Sequence, residues 1–246
     1  MVDTPSDCKG WASGKVSLAA IIYLRSLESA ENGQSISAIL PDVLRSGSRY
    51  KRWRDEVQKL LSPTSFSIAG KFSDHADVDV FTLSGTKQEA NNASIGWLGG
   101  QEPASATLDQ VATVRVGSVV VHRLDGTGKL VPLLNTSKAP PWGAIKQIRG
   151  KIHFGGTTVR GPLVVVRRTS SPSDNTRAIA TLVDSNQEFA VDNHLITILP
   201  LDKKLATCRK IVKMLSDSRT QNWFNTRIRC RHLTVGSLKE IPLLEK

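Results

Sequence analysis

Three short apolar segments in the first ninety residues constrain this chain more than any other feature. Ile36–Leu40, Phe66–Ala69 and Val78–Leu83 each read as a strand, the first closed by Pro41. Helical periodicity lies around them. Val16, Leu18, Ala19, Ala20, Ile22, Tyr23 and Leu27 give Lys15–Glu31 a broad apolar face ended by Gly33, and Tyr50–Leu61 reads as a second helix stopped by Ser62-Pro63. Strands alternating with helices predict half of an α/β sheet with helical crossovers. Three strands do not make a comfortable doubly wound domain. Strands this apolar want cover on both faces, and they leave an open edge that is a liability unless something pairs with it.

The second part of the chain has a different period. From Ser84 to Thr113 regular signal is weak, and TKQEANNAS and GWLGGQEPAS read as a linker with local turns. Val114–Arg123 then alternates, Leu130–Leu134 follows a turn at Gly126 and Gly128, and Ile145–Lys151, Leu163–Arg167, Ile179–Val183 and Leu195–Leu199 are further strand candidates. Gly155-Gly156, Gly161-Pro162, Ser170–Asn175 and Asp184-Ser185-Asn186 punctuate them. This pattern predicts a mostly β module. A helix over Lys203–Ser216, capped by Asp202, and another turn or two over Gln221–Arg229 complete it. The expected organisation is residues 1–85, a linker at 86–112 and a β-rich domain at 113–246.

Charge follows the same division. The formal net charge is +11, yet through Gly85 ten Lys/Arg balance ten Asp/Glu, and from Thr86 onward 23 face 12. A neutral part followed by a basic one suggests two different partners, the basic one a polyanion bound through phosphate contacts and counterion release. Hydrophobic residues at 39% and charged residues at 22% support a packed core rather than wholesale disorder. No apolar run approaches the length of a membrane span, and MVDTPSDCKGW lacks the pattern of a secretory signal. Cys8, Cys208 and Cys230 are far apart with no CxxC, so no metal site or disulfide framework is expected, and Cys230 reads as a small buried hydrophobe. The reading is a soluble cytoplasmic protein that binds neither membrane nor metal. Aromatic residues at 5% argue against the stacking platforms of single-strand or RNA binders.

The order of segments resembles the later motifs of gamma-class adenine-N6 DNA methyltransferases. GQSISAILP (Gly33–Pro41) followed by DVLRSGSRYKRWRDEV, then GKFSDHADVDVFTL (Gly70–Leu83), are similar to that family's strands after the catalytic loop. The second part looks like the family's target recognition domain, with AVDNHLITIL (Ala190–Leu199) as the strand returning to its core and WFNTRIRCRHLTVGSLKEIPL (Trp223–Leu243) as its end. The resemblance covers nearly the whole chain and implies a partial Rossmann-like methyltransferase sheet followed by a mostly β (α+β) recognition domain. The family's donor-binding glycine loop and its Asn-Pro-Pro-Tyr/Phe tetrapeptide are both absent. Ala139-Pro140-Pro141-Trp142 lacks the Asn and reads as a rigid turn. The resemblance therefore implies a subunit with no catalytic residue of its own. S-adenosylmethionine and the tetrapeptide would come mainly from a second protein subunit, and double-stranded DNA would be the substrate of a restriction-modification or phage-defence enzyme. The rival reading is a non-enzymatic DNA-specificity protein directing a separate restriction or modification enzyme.

Candidate site residues follow from both readings. Phe72 matches the aromatic position that packs against the extruded base, where a ring compensates ~1–3 kcal/mol of lost stacking. The bland alternative is a core Phe at a strand start. Ser73, Asp74 and His75 share its loop. Arg45 and Arg49, beside Ser46, Gly47 and Ser48, form a candidate phosphate contact. Between Lys146 and Arg177 seven basic residues face only Asp174, which suggests a surface turned to DNA. Lys146, Arg149, Lys151, His153, Thr157, Thr158, Arg160, Arg167 and Arg168 are the candidates, with His153 to Arg160 on an expected hairpin. Arg227, Arg229 and Arg231 alternate in a further basic string, facing DNA or an acidic partner. Asn193 and His194 read as structural turn residues.

Overall fold

The computed structural model describes residues 1–89, 94–98, 106–170, 176–229 and 231–243. Two compact units make up the chain: Met1–Gln101 with Asn225–Cys230, and Glu102–Phe224 with Arg231–Lys246. The fold is mixed α/β, with several sheets and few helices. Among the described residues no helix is long and apolar enough to cross a membrane. Cys230 and residues 171–175 lie outside the described residues.

In the first unit, β1 (Val2–Asp3) pairs with β2 (Lys15–Val16), and α1 (Leu18–Ser29) follows. The expected helix starts later than Lys15 because Lys15 and Val16 are drawn into that pairing. β3 (Ser35–Pro41) leads through α2 (Asp42–Ser46) and α3 (Lys51–Leu60) to β4 (Leu61–Ser73), and a tight turn returns the chain as β5 (Ala76–Lys87). All three expected strands exist, longer than their apolar cores suggested. Their order is β3-β5-β4, with β5 antiparallel to both neighbours. The helical crossover between β3 and β4 is present, but β5 has inserted between the strands it joins.

Cover on both faces does not materialise. One face carries Ile36, Ala38, Phe66, Phe81 and Leu83 into a core with Tyr23, Leu27, Trp53 and Val57. The opposite face is a ladder of hydroxyls: Ser37 lies across from Ser84, which lies across from Ser65, and Thr82 sits between Ile39 and Ser67. Antiparallel strands tolerate water on one face, and this alternation satisfies that rule. The stretch expected as a linker contributes to the core as well. Trp97 meets Trp53 in a tilted contact at 5.8 Å and Phe81 edge-to-face at 6.1 Å between ring centroids, and Ile95 is buried beside them.

The second unit holds two sheets. β6 (Ala112–Val116), β14 (Leu195–Pro200), β11 (Leu163–Arg167), β12 (Ala180–Val183) and β8 (Ala144–Ile145) form the first, in that order. β10 (Val159–Arg160), β13 (Glu188–Val191), β7 (Lys129–Leu134) and β9 (Lys151–Phe154) form the second. Leu163, Val165, Val183, Phe189, Val191 and Leu195 share one core, to which both sheets contribute. Helices α4 (Leu205–Ser216), α5 (Ser218–Arg227) and α6 (Val235–Lys239) follow. Asp202 is not the cap expected of it: α4 begins at Leu205 with Lys204 as N-cap, and Asp202, two residues earlier, accepts the Lys204 N–H at 3.0 Å and the Thr207 hydroxyl at 2.7 Å.

Three expectations for this unit need correction. The strand expected over Val114–Arg123 stops at Val116. A Cβ on Gly117 would lie 2.1 Å from the Asp192 carbonyl oxygen, so the chain passes too close to β13 to stay in the first sheet, and Val121–Arg123 is a 3-10 turn. The strand expected over Ile145–Lys151 is two strands, β8 and β9. Between them the Gln187 side chain takes the Ile148 N–H at 2.9 Å in place of a ladder bond, and Gly150 turns the chain at φ +81°. Finally, β9 and β10 do not form a hairpin. They stand at opposite edges of the four-stranded sheet, separated by β13 and β7.

Candidate nucleic-acid interface

The basic cluster of the first unit turns inward. Arg45 is fully buried: its Nε donates to Asp42 Oδ1 at 2.6 Å, and one terminal nitrogen donates to the carbonyls of Trp97 and Thr226, each at 2.9 Å. Asp42 Oδ2 accepts the Ser46 hydroxyl at 2.6 Å and the Arg229 N–H at 2.9 Å. A carboxylate at the start of α2 thus gathers the arginine one turn later, where exposure to phosphate is lost. Arg54, whose pKa burial pushes down, donates to the Leu44 and Gly47 carbonyls and closes the end of α2. Arg49 stays exposed and donates to the Ser13 carbonyl. Arg229 is held by Asp79 at 3.0 Å, so Arg45 and Arg229 are corrected from DNA contacts to structural clasps.

Phe72 is on the surface, 57% exposed, on the final residues of β4 before the Asp74–His75 turn. The β4–β5 ladder shifts register between Lys71 and Ser73, so Phe72 falls at the irregularity. Such irregularities re-aim side chains. The core-Phe alternative does not hold for Phe72. That role belongs to Phe66 and Phe81, whose rings meet at 5.7 Å. Ser73, Asp74 and His75 are exposed around it, with the Ser73 hydroxyl accepting the Ala76 N–H at 3.1 Å.

In the second unit the predicted residues form two groups rather than one. Lys146 and Arg149 lie on the exposed connector before β9. On β9 itself Lys151 and His153 are exposed while Ile152 and Phe154 pack against Val131 and its neighbours. Period-two alternation therefore gives β9 one basic face. Arg160 lies on β10, at the opposite edge of the sheet, with Thr157 and Thr158 just before it. Thr158 donates to Glu188 at 2.5 Å, which holds the Glu188 carboxyl below its ordinary range, and Arg160 reaches the same carboxylate at 3.9 Å.

Arg167 is half-buried and donates to the Ala139 carbonyl at 3.1 Å. Together with the Thr181 hydroxyl on the Pro140 carbonyl at 2.7 Å, this fixes Ala139–Trp142 as a packed turn, the role expected for it. Arg177, counted in the basic stretch, is fully buried beside Ser170 and Gln221. Arg168 lies beside His232, whose pKa is lowered first by burial and then by the charges of Arg168, His194 and Arg231. Of the alternating string, Arg227 ends α5 and belongs with Arg229 to the first unit, and Arg231 belongs to the second, where its carbonyl accepts the Ser170 N–H. Asn193 and His194 occupy the turn between β13 and β14, as expected, with Asp192 accepting the His194 N–H at 2.8 Å.

Sequence reading missed a cavity of about 530 Å3 inside the second unit, walled by Arg115, Arg160 and Lys203 over an aliphatic floor. Arg115 is hidden among the alternating residues of β6. The only available signal for Lys203 is its place just past the end of β14.

Comparison with known proteins adds little. No family model matches the chain, and no curated protein matches it. A chain from a solved structure of the type I R-M system, described for complex assembly and conformational transition, is similar over 59% of this chain and 36% of its own length, at 13% identity and a TM-score of 0.34. The type IIG restriction endonuclease BpuSI is similar over 94% of this chain and 42% of its own length, at 11% identity and a TM-score of 0.40. The chain thus spans less than half the length of either protein. At these scores neither likeness carries an argument about fold or function.

Proposed function

We propose that this chain is the DNA-recognition subunit of a heteromeric adenine-N6 DNA methyltransferase, acting in a restriction-modification or phage-defence setting. A partner binds S-adenosylmethionine, presents Asn-Pro-Pro-Tyr/Phe, and completes its sheet against this chain. The observation that carries the proposal is a difference between the two edges of the β3-β5-β4 sheet. The β4 edge is blunted by Pro63 and three register shifts. The β3 edge runs in unbroken register from Ser35 to Pro41, contains no charged residue, and pairs with no further strand among the described residues. Ile39 on it is 59% exposed, and Leu18 and Ile22 stand exposed on α1. Isolated proteins rarely leave such an edge bare, so a strand of the partner is its natural occupant.

The donor does not fit this chain's own residues. The covered face of the first unit's sheet is filled by Trp53, Phe81 and Trp97, and the sequence has no glycine loop to hold S-adenosylmethionine. What this chain supplies is a wall and an address. Phe72, exposed at the hairpin end, offers a ring face to an adenine removed from the stack. The basic face of β9 with Lys146 and Arg149 holds phosphates and approaches bases.

The test is methyl transfer to duplex DNA. The partner is sought as the product of a neighbouring reading frame carrying the glycine loop and Asn-Pro-Pro-Tyr/Phe. Each chain alone is expected to be inactive and the mixture active, with Phe72→Ala lowering turnover about ten- to hundred-fold at little cost in DNA affinity. Activity from this chain alone refutes the proposal.

A further inference from the structure

We infer that the cavity of the second unit binds a nucleotide, with its phosphate held by Arg115, Arg160 and Lys203 and its sugar and base packed on an aliphatic floor. The cavity opens where the edge strands of the two sheets both contribute: Arg115 comes from β6, Arg160 from β10, and Lys203 from the turn after β14. Its volume, about 530 Å3, is in the range that encloses a small organic ligand. The floor is Leu163, Val191 and Leu199, the first two fully or almost fully buried.

The charges are unbalanced. Among the described residues no acidic side chain lines the cavity. Among the described residues no carboxylate pairs with Arg115 or Lys203, and the single partner of Arg160, Glu188, is distant at 3.9 Å on an exposed surface. Three like charges around one hollow repel each other until an anion enters, and a phosphate with its fork of oxygens matches two guanidinium groups and an ammonium. Hydroxyls of Thr113 and Thr157 add neutral partners at the rim. A small inorganic anion alone would leave the aliphatic floor uncovered. A nucleotide covers both.

Backbone geometry points the same way. Lys203 has φ +54°, one of two non-glycine residues in the left-handed region among those described. Glycine or asparagine would relieve that conformation, so a lysine held there at a conformational cost marks its ammonium as wanted. The nucleotide has two sources of the same chemistry: a free mononucleotide, or one nucleotide of a DNA strand displaced from its stack. The inference stands on the cavity alone and survives if the methyltransferase proposal fails.

Deoxynucleoside monophosphates, the matching nucleosides and inorganic phosphate are titrated into the full chain by calorimetry, and a short single strand and its duplex by fluorescence anisotropy. Monophosphates are expected to bind about ten-fold tighter than phosphate or nucleoside, and Arg115→Gln and Lys203→Asn each to weaken them about ten-fold. Lys203→Asn should melt no lower than the unsubstituted chain, which separates loss of the site from loss of the fold. Binding of strands but not free nucleotides, weakened by the same variants, assigns the source to DNA and supports the inference. Equal affinity for inorganic phosphate, or binding of nucleotides and strands indifferent to Arg115 and Lys203, overturns it. Nucleotide binding without any duplex binding keeps the cavity and removes the DNA-reading proposal.

Discussion

Arg45 and Arg149 sit in stretches of similar composition, yet one is enclosed and the other projects into solvent. The stretch around Arg45 offers a carboxylate three residues earlier and two backbone carbonyls from Trp97 and Thr226, and the guanidinium satisfies all of them within the first unit. The stretch around Arg149 offers no such acceptors. Its side chain reaches only Gln147 at 3.5 Å among the described residues, and its own carbonyl is taken by Lys138 at 2.8 Å. Basic residues become a surface for an external anion where the fold provides no internal one. That local acceptor supply, and not the density of Lys and Arg, separates a clasp from a contact.

The largest expected effect breaks the clasp. Arg45→Ala leaves Asp42 buried without its ion partner and is expected to cost about 3–5 kcal/mol of stability by chemical denaturation. Arg45→Met with Asp42→Leu should recover only part of it: the orphaned charge is gone, but the Ser46 hydroxyl, the Arg229 N–H and the Trp97 and Thr226 carbonyls lose their partners. If Arg45→Ala instead lowers DNA affinity while leaving stability intact, the distinction between the two stretches fails. The smaller effect lies on the other side of the comparison. Replacing Lys146, Arg149 and Lys151 together with Gln should leave the melting temperature unchanged, weaken duplex binding roughly ten- to hundred-fold at moderate salt, and flatten the logarithmic salt dependence by ~2.7. An unchanged salt slope would remove the β9 face from the interface.

Periodicity located elements well and their partners poorly. The three strands of the first unit and five of those in the second were legible because alternating apolar residues are a local signal. That β5 inserts between β3 and β4 was not, since an antiparallel hairpin and a helical crossover both satisfy the same apolar runs. The expected hairpin from His153 to Arg160 failed for the same reason: the chain only bends at Gly156, and β9 pairs with β7 and β10 with β13. Site residues followed the same logic. Lys151 and His153 were picked from charge imbalance, with the strand expected to end at Lys151; the alternation that exposes both belongs to β9. The inward turn of Arg45 depends on acceptors distant in sequence, the Trp97 and Thr226 carbonyls, which composition does not reveal, while the buried Arg177 gives its Nε to the Ser170 hydroxyl. Trp97 and Ile95 were lost to the linker expectation because a pair of core residues in a glycine-rich stretch has no period.

The account depends most on the bare margin of β3, and backbone amide exchange measures it directly. At a sheet edge alternate N–H groups point away from the neighbouring strand and remain open to water. In the isolated chain, one alternate set of amides between Ser35 and Leu40 should exchange quickly, and mixing with the methyl-donor-binding partner should slow that set, while Ile39→Lys prevents the slowing. Amides in β3 that are uniformly protected in the isolated chain, or that exchange identically with and without the partner, would contradict it.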